Sequence, residues 1–152
     1  MHEYQATIRW TGNEGAGTQT YKGYSRNHEI VFPGIAPIFG SSDPSFRGDP
    51  GRMNPEQALL SAVSTCHMLW FLHLGMEAGL VVEAYEDQAR AEMAMNPDGS
   101  GRFTQAMLRP HVTISAGDTS VADEVHHKAH EVCFIARSVN FPIHCQGTIE
   151  KR

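Results

Sequence analysis

The chain has 152 residues, 41% of them hydrophobic and 19% charged, which suits one compact domain over residues 1–152 and excludes a disordered chain. Seventeen acidic against twelve basic residues give a net charge of -5 with no basic run, so no nucleic-acid partner is expected. The start, Met1-His2-Glu3-Tyr4, lacks the basic and then apolar run of a signal peptide. Cys66, Cys133 and Cys145 are odd in number and have no CxxC spacing, so a cytoplasmic protein without a disulfide framework is expected.

Residues 3–10 alternate and carry β-branched and aromatic side chains, which predicts a strand with one face buried. Residues 11–17 supply a turn, residues 18–24 a second strand, and residues 29–32 a third that Pro33-Gly34 breaks. Residues 33–53 read as irregular and are longer than a simple connection needs; long ordered loops often line sites.

Asn54-Pro55-Glu56-Gln57 opens a helix: Asn accepts free N–H groups, Pro fits the first turn, and Glu favours the positive end of the dipole. The helix is expected to reach about Ala78, with Gly79 as a left-handed stop. Apolar residues surround it, so it is expected to be buried on most sides. Ser61, Ser64, Thr65, His67 and His73 interrupt it, and no basic cluster flanks it, so no membrane span is expected. A helix of this kind is hard for a small chain to cover alone, which points to a homodimer.

Residues 80–95 and 102–115 read as strands joined by the turn Asn96-Pro97-Asp98-Gly99-Ser100-Gly101. A second helix is expected from Asp118 or Thr119 to about Val139, kinked near Cys133, and a last strand over residues 143–150. Strands, long helix, hairpin, helix and strand in that order make an α+β domain.

The polar patch Ser64-Thr65-Cys66-His67 in an apolar helix needs a reason, and a nucleophilic thiolate at Cys66 is one. Glu56 and Cys66, ten residues apart on one helix, are separated by about 15 Å of rise and cannot touch within one chain. Two antiparallel copies of the helix would bring Glu56 of one near Cys66 of the other.

The segment Asn54-Pro55-Glu56-Gln57-Ala58-Leu59-Leu60-Ser61-Ala62-Val63-Ser64-Thr65-Cys66 resembles the NPE(E/Q)-x₈-C segment of the OsmC/Ohr superfamily, the osmotically inducible and organic hydroperoxide resistance proteins. Cys133, sixty-seven residues on, resembles that family's second cysteine, and the loop over residues 40–52 looks most like an OsmC-like branch. The resemblance implies an OsmC-like fold, with antiparallel sheets around a long central helix in an intertwined homodimer. It also implies a thiol peroxidase: Cys66 attacks an organic hydroperoxide, becomes a sulfenic acid, and is resolved by Cys133 as a disulfide. No metal or prosthetic group is implied; the reductant would be a small thiol or a dithiol, lipoyl-type dithiols included.

The family uses an arginine, held by the glutamate that matches Glu56, to ionise the nucleophile. Arg47 is the first choice for that role, then Arg52, then Arg26. Leu69 and Trp70 near Cys66, with Phe39 and Phe46 from the loop, are candidates for an apolar pocket suited to alkyl or aryl hydroperoxides. Two positions depart from the family: Phe134-Ile135-Ala136 follows Cys133 where many members have Cys-Pro, and His67 stands where Phe is common. His67 reads as capping a local hydrogen bond, the His126, His127 and His130 cluster as a solvated helix face, and Cys145 as structural. An alternative to the peroxidase is a redox-sensing or apolar-ligand binding module without turnover. A hydrolase pairing Cys66 with His67 is weaker, because adjacent helical residues point in different directions.

Overall fold

A computed structural model describes residues 1–152, which form two compact units, Met1–Ala58 and Leu59–Arg152. In the first unit, β1 (Thr7–Trp10), β2 (His28–Val31) and β3 (Ile38–Gly40) make an antiparallel sheet in that order, with Trp10 opposite His28 and Glu29 opposite Phe39. The strand expected over residues 18–24 does not form. Asn13 Oδ1 instead accepts from the N–H groups of Gly15 and Gly17, and the Arg26 guanidinium donates to the carbonyls of Tyr21 and Tyr24 while lying over both rings. The aromatic residues that suggest a strand hold an arginine, and β1 pairs across this excursion with β2.

Residues 33–53 are less irregular than expected. After β3, the Asp43 carboxylate accepts from Ser45 N–H at 2.8 Å and caps a single 3₁₀ turn, Pro44–Phe46. The Ser41 N–H donates to Met53 O at 3.0 Å, and the buried Ser41 hydroxyl accepts from Asp49 N–H at 3.0 Å, which closes the loop on itself.

Helix α1 (Pro55–Glu77) begins as its sequence requires. Asn54 Oδ1 accepts from Gln57 N–H at 2.8 Å, and Gln57 Oε1 accepts from Asn54 N–H at 3.0 Å, a reciprocal capping box. At the other end Gly79 takes φ +84° and Leu80 N–H reaches back to Gly75 O at 2.8 Å, the 6→1 closure of a Schellman motif. The burial of α1 differs from expectation. Only the stripe Val63, His67, Phe71 and Gly75 is buried within the chain, while Leu69 and Met76 are 58% and 61% exposed.

The second unit holds three strand rows, each interrupted once: β4 (Val81–Asp87) with β5 (Arg90–Met95), β6 (Gly101–Leu108) with β7 (Pro110–Ala116), and β8 (Ile143–Cys145) with β9 (Thr148–Lys151). The expected hairpin joins β5 to β6, with Gly99 at φ +86° and Asp98 accepting from the Ser100 N–H and hydroxyl. The interruptions align, because Asp87 faces Pro110, Arg90 faces Met107, and Leu108 faces Cys145. Two sheets result, ordered β4-β7-β9 and β5-β6-β8. They are mixed rather than purely antiparallel, since the terminal strand expected as one piece splits into β8 and β9 and pairs parallel in both.

The second helix is also shorter than expected. Asp118 caps a 3₁₀ turn at Thr119–Val121, α2 runs Ala122–Val132, and Cys133 is already extended (φ -64°, ψ 116°). Phe71, Leu80, Val112, Ile114, Val125 and Ala129 form the core of this unit, contributed by α1, the turn that follows it, α2 and the central strand β7.

Candidate functional site

Successive helical residues are about 100° apart, and in α1 this sends neighbouring side chains to different partners. The Ser64 hydroxyl donates to Asp87 Oδ2 at 2.6 Å, and the other oxygen of that carboxylate accepts from Arg109 N–H at 2.7 Å. Asp87 is therefore fixed at the point where the strand rows break.

Cys66 is half-buried and neighbours Cys133, which is 1% exposed at the end of α2. The Ala136 N–H also donates to Cys133 Sγ at 3.4 Å. Burial first, then the neighbouring Cys66, pushes the Cys133 thiol up to about 11, so it stays protonated at neutral pH. Phe134 meets Trp70, one turn beyond Cys66, edge to face at 5.6 Å. The unusual residue after Cys133 thus packs α2's end onto α1. Of the other apolar candidates, Leu69 faces solvent, and Phe39 and Phe46 are 55% and 42% exposed.

The three candidate arginines have different surroundings. Arg26 is occupied by two carbonyls and two aromatic rings. Arg52 lies 3.6 Å from Asp49 and over the Phe39 ring. Arg47 is exposed, its guanidinium has no partner in the chain, and it is the one non-glycine residue with positive φ, at 66°. A side chain held in the left-handed region costs about 1–2 kcal/mol, the kind of local strain that clusters at functional positions. Glu56, half-buried in the first turn of α1, likewise has no ion-pair partner within the chain.

His67 points elsewhere. Its Nε2 lies 3.0 Å from His126 Nδ1 and 3.7 Å from Cys145 Sγ, so it does not cap a local hydrogen bond. His126 is 6% exposed, which corrects the reading of the histidine cluster as a wholly solvated face. His127 does lie on that face, 3.3 Å from Glu131. Cys145 joins the histidines instead of standing alone. The spacing Ala122, Val125, His126, Ala129 is the i, i+3, i+4, i+7 signature of a buried stripe and could have placed His126 from sequence. Nothing local in the sequence points to Cys145.

A sequence profile of the OsmC-like protein family matches residues 48–146, a span that contains Glu56, Cys66 and Cys133. The chain belongs to the OsmC-like family. An OsmC-like protein of unknown function from Vibrio cholerae is 33% identical, covering 97% of this chain and 100% of its own, with a TM-score of 0.86. More distant structures share the fold: an organic hydroperoxide resistance protein from Legionella pneumophila is 16% identical over 99% of this chain and 98% of its own (TM-score 0.69). A second, from Vibrio cholerae with captopril bound in one of its active sites, is 19% identical over 98% and 93% (TM-score 0.68). No curated protein matches the chain.

Proposed function

We propose that this OsmC-like protein is a cysteine-based peroxidase that reduces organic hydroperoxides. The observation that carries the reading is the pair of neighbouring thiols, one partly open to solvent and one buried and held protonated. Cys66 thiolate attacks the outer peroxide oxygen; the O–O bond breaks, the alkoxide leaves as alcohol with a proton, and Cys66 becomes a sulfenic acid. The Cys133 thiol then attacks that sulfur, water leaves, and a Cys66–Cys133 disulfide forms. An external thiol or dithiol, a lipoyl-type dithiol included, restores both thiols.

In this reading Arg47, the unpaired cation, stabilises the Cys66 thiolate and the departing oxygen, with Glu56 holding it. Leu69, Trp70, Phe39 and Phe46 supply apolar surface for an alkyl or aryl group. About 15 Å of helical rise separates Glu56 from Cys66, so a homodimer of antiparallel α1 helices completes the site, in the cytoplasm. Treating the reduced protein with one equivalent of cumene hydroperoxide or hydrogen peroxide and mapping the thiols by intact mass and peptides tests this. A rapid Cys66–Cys133 disulfide, faster with the organic peroxide, is expected. Thiols that stay reduced would replace the peroxidase with a binding module on the same fold.

A further inference from the structure

Cys145 and His67 belong to a second cluster that the peroxidase reading does not use. The Nε2 of His67 on α1, a ring nitrogen of His126 on α2 and Sγ of Cys145 at the end of β8 lie within 4.8 Å of one another. We propose that these three side chains bind a divalent metal ion of the zinc class.

The donor geometry is close to what such an ion needs. Tetrahedral zinc, with Zn–N near 2.0–2.1 Å and Zn–S near 2.3 Å, separates its ligand atoms by roughly 3.3–3.6 Å. Of the three separations, His67 Nε2 to His126 Nδ1 is 3.0 Å, His67 Nε2 to Cys145 Sγ is 3.7 Å, and the third is within 4.8 Å. Two imidazole nitrogens and one thiolate form a borderline-soft set that selects zinc-like ions over magnesium or calcium.

The histidines are built in rather than decorating a surface. His67 is 2% exposed, and His126 stacks on Phe71 with ring centroids 4.1 Å apart. The His126 ring is seated against Gly147, where a Cβ would come within 2.5 Å of its Nε2, and this holds Nδ1 toward His67.

The surroundings favour a cation. A cleft of about 610 Å³ opens beside Cys145, lined by Asp123, His127, His130 and His144, with no lysine or arginine. It offers an entry path and room for a water as fourth ligand. On binding, the S–H bond of Cys145 breaks and its proton leaves through the cleft, the proton shared in the His67–His126 hydrogen bond moves to that ring's other nitrogen, and the sulfur and both facing nitrogens bond the metal; no electron moves. The ion would tie α1, α2 and the end of β8 together.

The test is titration of the reduced full chain with cobalt(II), which reports thiolate ligation as a near-ultraviolet charge-transfer band. One equivalent per chain, displaced by zinc, is expected. The band should vanish in Cys145→Ser and His67→Gln and persist in the Cys66→Ser/Cys133→Ser double variant. In the unaltered protein, zinc should shield Cys145 from iodoacetamide and leave Cys66 reactive, a readout that needs no variant to fold. Absence of the band, its survival in a folded Cys145→Ser, its loss in the double variant, or unshielded Cys145 would each overturn the site. None of these outcomes depends on peroxide turnover.

Discussion

Cys66 and Cys133 differ in one respect that chemistry can read: the first is reachable and the second is sealed and held protonated near 11. Cys66→Ser should abolish peroxide consumption. Cys133→Ser should permit one oxidation and then let Cys66 advance to the sulfinic acid, seen as two added oxygens by intact mass. Arg47 allows an unusually clean substitution, because glycine adopts φ +66° without strain. Arg47→Gly should therefore keep or slightly raise the melting temperature while slowing Cys66 oxidation at least tenfold; an unchanged rate would hand the role to Arg52. The buried histidines set an acid limit on the metal-free protein. Burial lowers both from 6.5 to about 4, so as pH falls below about 6.5 the unfolded chain takes up protons that the folded chain refuses. Stability should fall between about pH 6.5 and 4 in urea titrations, and a His67→Gln/His126→Gln variant should flatten that slope.

At the scale of elements, α1 has two ends built from local signals and a body whose partners are distant. Asn54 is 7% exposed and exchanges two hydrogen bonds with Gln57, so Asn54→Ala should cost about 1 kcal/mol in a denaturant melt while leaving the thiols' separation unaltered. Glu56→Ala should slow peroxide reduction with little change in stability, since Glu56 has no partner within the chain. Elements held by short-range chemistry were legible: the capping box, the Gly79 stop, and the Asn96–Ser100 turn all close through hydrogen bonds among near neighbours. Residues 18–24 fit strand patterning through Tyr21 and Tyr24, yet their carbonyls accept from Arg26 instead of a ladder partner. The early end of α2 has a similar origin, since Cys133 leaves the helix where its thiol meets Cys66.

At the scale of the molecule, each unit leaves apolar surface exposed. Leu69 and Met76 project from α1, and Ile8 and Phe39 from the first sheet. A homodimer would cover such surface, and sedimentation should give twice the chain mass, shifted toward monomer by Met76→Lys. Single-chain mass for the unaltered protein would remove the proposed placing of Glu56 beside a second copy's Cys66. The amino-acid sequence by itself determined the α+β class, the span of α1 and the resemblance carried by Glu56, Cys66 and Cys133, because periodicity, capping and motif spacing are properties of short stretches of chain. Only the tertiary structure decided that His67 meets His126 fifty-nine residues away and Cys145 seventy-eight away, because the aligned strand breaks and the packing of α1 side chains on those of α2 bring them together, and no local pattern encodes such contacts.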